Sequence, residues 1–315
     1  MSDKSITRRR FNIGVAAAVG AAMLGGRRAD AAPKGKYFDI HTHLGQEWGN
    51  REPLGADGLL RWMDEMDIAQ AAVLPLISPE SWDHPISTDY VLKHTKAHRD
   101  RLIPFCSIDP RTINLGNYKI KLDLLKKYQD AGAKGFGEHK PGVAIDDSRN
   151  MELFKACAEV GFPVLFHLDN SRNTDKPGLP GLENMLRQIP DGVFIGHAQG
   201  WWASISGDTK QDTLQKYPDT KVFPGGAIDR LMDKYPNVYG DLSAGSGANA
   251  ISRDIEFGAE FVKRRADRLL FGTDYLAPGQ GVPQFELYGE TLDHLPRKVK
   301  EKVFRGNARR LLGLG

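Results

Sequence analysis

After Pro33 the chain repeats one pattern of apolar and polar positions eight times: a short apolar run, a loop, then an amphipathic stretch with helical period. The apolar runs, read as strands, span 36–44, 69–77, 101–109, 133–140, 162–169, 193–198, 237–244 and 269–275. Several are continuous in Val, Ile, Leu and Phe, as expected of parallel strands covered on both faces. Helical periodicity falls at 59–66, 89–97, 120–129, 151–160, 182–189, 228–234 and 251–265, and a last helix follows over 296–312. Strict alternation predicts a parallel sheet, and eight units predict an α/β fold closed into a (β/α)8 TIM barrel. An open doubly wound sheet fits less well, because no Gly-rich phosphate turn follows the first strand. No linker composition divides the body, so residues 32–315 read as a single domain. The long connection over 199–225, with Trp201 and Trp202, is expected to act as a lid.

Residues 1–31 stand apart. Thr7-Arg8-Arg9-Arg10-Phe11-Asn12-Ile13 resembles the twin-arginine export motif, an apolar stretch follows from Ile13 to Leu24, and Ala29-Asp30-Ala31 offers a small-x-small cleavage site. The segment is expected to be a twin-arginine signal peptide. Its partner would be the twin-arginine translocation machinery, and the mature protein would be periplasmic or otherwise exported. The apolar stretch is too short to serve as a permanent anchor across a bilayer core of about 30 Å. Charge supports the same division. The chain has 43 Lys and Arg against 40 Asp and Glu, but beyond residue 31 the balance is 37 against 38. The basic excess belongs to the leader, so no nucleic-acid partner is indicated. Cys106 and Cys157 read as small core residues and make no disulfide framework.

The sharpest chemical signal is Phe38-Asp39-Ile40-His41-Thr42-His43 at the end of the first strand. Period-two alternation puts Asp39, His41 and His43 on one face, where two imidazoles can grip a divalent cation. Asp39 lies deeper and suits a structural hydrogen bond. An H-x-H pair alone is weak evidence, but the same level of the barrel recurs three times. His167 ends the fifth strand, His197 the sixth and Asp274 the eighth, each after an apolar run where an unpaired polar group would be costly. Barrel enzymes build their sites at these C-terminal strand ends. At the fourth, Glu138 is placed to ligate or bridge, or else to pair with Lys140 on the same face; Lys140 is also a candidate to bind a substrate carboxylate, while His139 should point away. Arg172 is a candidate clamp for an anionic substrate, against a solvated loop role. Trp48, Trp82, Trp201 and Trp202 are candidate walls of an aromatic-lined pocket, although packing alone would also account for them. His84, His94, His98 and His294 read as surface residues.

The order H-x-H, His, His, Asp on strands one, five, six and eight resembles the amidohydrolase superfamily, in its amidohydrolase-2 branch, which includes aminocarboxymuconate-semialdehyde decarboxylase and related lactone hydrolases. Asn237-Val238-Tyr239-Gly240-Asp241-Leu242-Ser243, Phe271-Gly272-Thr273-Asp274-Tyr275 and Phe304-Arg305-Gly306-Asn307-Ala308-Arg309-Arg310 support it. The resemblance implies that His41, His43, His167 and Asp274 ligate a divalent metal, Zn²⁺ first, with Mn²⁺ or Fe²⁺ as alternatives. It implies that Asp274 accepts a proton from an activated water, and that His197 orients that water or polarises the substrate. Many relatives carry a bridging Lys or Glu on the fourth strand, so Glu138 leaves one ion or two open. The implied activity is hydrolysis of a C–N, ester or lactone bond of a small molecule. Non-oxidative decarboxylation of an unsaturated or aromatic acid, and a non-catalytic metal-binding barrel, are the alternatives. Association into a homo-oligomer stays open.

Overall fold

The computed structural model describes residues 33–49, 51–112 and 118–314. The expected signal peptide lies outside them. Strands β1 (Tyr37–Thr42), β2 (Ile68–Val73) and β3 (Leu102–Pro104) form one parallel ladder. A second runs through β4 (Phe136–His139), β5 (Val164–His167), β6 (Phe194–His197), β7 (Val238–Asp241) and β8 (Leu269–Leu270). Backbone bonds join the two ladders at both seams. Cys106 N donates to Gly135 O (2.9 Å) and Gly137 N to Cys106 O (2.8 Å) between β3 and β4. Across the other seam, Ile40 N donates to Phe271 O (3.0 Å), Asp274 N to His41 O (2.8 Å) and His43 N to Tyr275 O (2.9 Å). The eight strands therefore close into a TIM barrel.

Helices α1 (Ala56–Glu65), α2 (Thr88–Thr95), α3 (Tyr118–Asp130), α4 (Ser148–Val160) and α5 (Pro180–Gln188) follow the first five strands. The short α6 (Gln199–Ala203) follows β6, and α7 (Ala227–Lys234) precedes β7. Where one helix was expected over 251–265 there are two, α8 (Ala244–Ser252) and α9 (Ile255–Arg264). The break has a local cause: Asp254 leaves the helical conformation and caps α9, accepting from Phe257 N. Further helical stretches cover 284–291 and 297–311.

Two apolar layers hold the barrel. Phe38, Ile40, Leu74, Phe105, Leu165 and Ile195 meet in its interior, and a larger cluster fills the space between sheet and helices. The expected lid begins as an anchor instead. Trp201 and Trp202 are buried, and Trp202 Nε1 donates to Asp241 O (2.8 Å). Trp201 lies against Gly196, where an added Cβ would approach its indole to 2.3 Å. Gly196→Ala is expected to lower stability by about 1–3 kcal/mol through overpacking. Urea unfolding measures this, and an unchanged midpoint would mean that the indole moves aside freely.

Candidate metal centre

The centre begins with an irregularity in β1. Ile40 belongs to the barrel interior, so strict alternation would turn His41 outward. Between Asp39 and Thr42, however, β1 takes three steps opposite two on β2. This bulge-like shift brings His41 to the interior as well, a known way of re-aiming a side chain beside a site. Asp39 stays at the seam with β8, accepting from Thr273 N (3.0 Å) and Thr273 Oγ1 (2.5 Å). Burial raises its pKa to about 7 against those hydrogen bonds.

Four atoms from three strand ends then converge. His41 Nε2 and His43 Nε2 are 3.1 Å apart. Asp274 Oδ1 lies 3.4 and 3.3 Å from them, and Glu138 Oε2 lies 3.6 and 3.5 Å from them. Ligands on a tetrahedral ion with bonds near 2.0–2.1 Å are separated by roughly 3.3–3.4 Å, so the spacing fits one such ion. The imidazoles are oriented for the task. His41 Nδ1 faces Asp241 Oδ2 (2.7 Å) and His43 Nδ1 faces the Leu74 carbonyl (2.9 Å). With Nδ1 protonated on each ring, both Nε2 atoms present lone pairs.

Four acceptors facing one another need positive charge between them. Burial works against a charged His41, but Asp274, Asp241 and Glu138 outweigh it and hold its pKa well above the ordinary value. Glu138 is pushed the other way: burial would raise it, yet Lys140, His167, His41 and His43 hold it well below the carboxylate range. A divalent cation satisfies the same demand as the proton on His41, and this donor set fits one.

His167 stands one step back, on the other oxygen of Glu138. Its Nδ1 faces Glu138 Oε1 at 2.7 Å and its Nε2 faces Asp169 Oδ2 at 2.9 Å. Ligation by His167 next to His41 and His43 would require giving up one of these carboxylates. His197 Nε2 lies 4.0 Å from Glu138 Oε1 and 4.0 Å from Asp274 Oδ2. Glu138, His167 and His197 thus form a second group with ligand spacing, and Glu138 has one oxygen turned to each group.

A family model described as amidohydrolase matches residues 38–314. The chain belongs to the amidohydrolase family. No curated protein sequence matches it significantly. Among solved structures, this amidohydrolase is similar to an uncharacterised TIM-barrel protein from Bordetella bronchiseptica, with 18% identity, coverage of 88% of this chain and 98% of that one, and a TM-score of 0.60. It is also similar to a putative 2-pyrone-4,6-dicarboxylic acid hydrolase from Pseudomonas putida (14% identity, 90% and 98% coverage, TM-score 0.58). A third is 2,6-dihydroxybenzoate decarboxylase from Rhizobium (16% identity, 88% and 98% coverage, TM-score 0.53). At these identities the likeness is one of fold.

The other residues singled out in this amidohydrolase fall in different places. Lys140 Nζ reaches Glu138 Oε2 at 3.4 Å, and Arg172 Nη1 is held by Asp169 Oδ2 at 2.9 Å. His139 points away, to Asn150 Oδ1 (2.9 Å). Trp48 and Trp82 are exposed on loops. Trp201, expected to touch substrate, has no surface to offer, because it is sealed between Gly196 and Phe166. His84 is not a surface residue either. It is buried with Nε2 on the Leu44 carbonyl (3.1 Å), and burial lowers its pKa to about 4.

Asp241 and Ser243 were not singled out. Asp241 Oδ2 receives His41 Nδ1 (2.7 Å), Ser243 Oγ (2.7 Å) and His197 Nδ1 (3.0 Å). Asp241 thereby fixes two imidazoles at once. Gly272 allows this approach, since a Cβ there would come within 2.5 Å of Asp241 Oδ1. The signal was available: Asp241 ends the seventh strand as His197 ends the sixth. Asp241→Asn is expected to weaken metal affinity about 10–100-fold. Chelator competition measures it, and unchanged affinity would leave Asp241 a packing role only.

Proposed function

We propose that this amidohydrolase uses a divalent cation, Zn²⁺ before Mn²⁺ or Fe²⁺, to hydrolyse a C–N, ester or lactone bond of a small molecule. The observation that carries the reading is the His41–His43 pair, 3.1 Å apart, with a Glu138 and an Asp274 oxygen each 3.3–3.6 Å from both imidazoles. When bound, such a cation supplies Lewis acidity and makes a water nucleophilic near neutral pH. Before an ion binds, burial alone would raise the Asp274 pKa, but His41 and His43 draw it to about 2; a cation would replace their positive charge and keep the carboxylate ionised. About a quarter of its side chain is open to solvent (24%), unlike the buried imidazoles. Asp274 Oδ2 therefore takes the proton of the attacking water and delivers it to the leaving group. Burial lowers the His197 pKa and favours the neutral ring. Its Nδ1–H is engaged by Asp241 and Ser243, which leaves the Nε2 lone pair to accept a hydrogen bond and orient that water.

Glu138 offers an oxygen to each ligand group, which supports a place for a second ion. The twin-arginine motif at Arg8-Arg9 supports action outside the cytoplasm, since that route carries folded proteins and suits a metal loaded before export. The deciding experiment supplies the metal-loaded protein with ester, lactone and amide substrates and, separately, with aromatic acids. Hydrolysis without carbon dioxide is expected. Carbon dioxide released from an acid, with every ester, lactone and amide untouched, would replace hydrolysis by decarboxylation.

A further inference from the structure

A cavity of 690 Å³ lies at the exits of β1 and β2, walled by Gln46, Trp48, Leu76, Ile77, Ile86 and Tyr90. Its lining comes within two residues of the centre along both strands. Gly45 in its lining follows His43 by two residues, and Leu76 follows by two the Leu74 carbonyl that holds His43 Nδ1. No residue lining it carries a charge. A carboxylate placed against this lining would lose its hydration and meet no charged side chain in it. An aromatic or branched aliphatic group would instead bury its surface against Trp48, Ile77 and Tyr90.

We infer that the cavity receives an uncharged, apolar part of the substrate, so that the substrate class is an ester, lactone or amide carrying an aryl or alkyl group there. The inference rests on the proposed hydrolysis for its chemistry, but its test does not need turnover. Isothermal titration of the metal-loaded protein at pH 7 compares 2-naphthol with naphthalene-2-sulfonate, which share a ring and differ in charge. Naphthol should bind at least about 10-fold tighter, and Trp48→Ala and Ile77→Asp should each weaken it about 10-fold, the scale of one buried apolar side chain. Trp48 is exposed, so its variant guards against a folding defect in the other. Sulfonate binding as tightly as naphthol, or naphthol binding unchanged in Trp48→Ala, would overturn the inference. Naphthol binding that obeys the variants while no ester, lactone or amide is cleaved would keep the cavity's assignment and remove the hydrolase reading. Hydrolysis with no preference for naphthol would do the reverse.

Discussion

Asp274→Asn is expected to cut kcat by about 10³-fold while the barrel stays folded. The amide can still turn an oxygen toward His41 and His43, but it cannot take a proton at Oδ2. The backbone tolerates the change, because Asp274 sits at φ 59°, a region that Asn enters as readily as Asp. Its main-chain bonds to His41 O and from Gln280 Nε2 do not involve the altered group. Steady-state kinetics on a confirmed substrate, together with the metal content of the variant, separate loss of the proton acceptor from loss of the ion. Wild-type rates would take Asp274 out of the mechanism.

Chelation is expected to lower turnover by more than about 100-fold, and Zn²⁺ or Mn²⁺ to restore it. A second readout follows from electrostatics. The carboxylates of Asp274, Asp241 and Glu138 keep His41 protonated when no cation is bound. Metal binding must expel that proton, so the apparent heat of binding should vary with the ionisation enthalpy of the buffer. Full activity in protein stripped of metal would sink the proposed chemistry outright.

The barrel was legible because its signal is repetitive: eight apolar runs, each followed by a helical period, leave few other architectures. Strand exits were legible for the same reason, since a His or Asp closing an apolar run stands out. Three things could not be read from period alone. Period put His41 with His43, but the shift in β1 that lets Ile40 face the interior as well leaves no mark in the sequence. The burial of Trp201 depends on the tight passage from β6 into α6, which lays its indole back on Gly196, and period does not show that turn. The second contact of each histidine is also invisible, so Asp241 on His41 and Asp169 on His167 had to be seen. The break between α8 and α9 was missed for a different reason: apolar periodicity runs on either side of Asp254, and the cap is a single side chain.

The seam between β8 and β1 carries a further consequence. The regular ladder of β8 is two residues long, and beyond it the strands are held by a few main-chain bonds and by Asp39 on Thr273. The proposed ligands come from both edges of this join, His41 and His43 on one and Asp274 on the other. An occupied centre would thus be a clasp across this joint, and thermal resistance should climb with free metal concentration by mass action. Amide deuteration at Ile40, His43 and Asp274 should slow first, before the rest of the molecule responds.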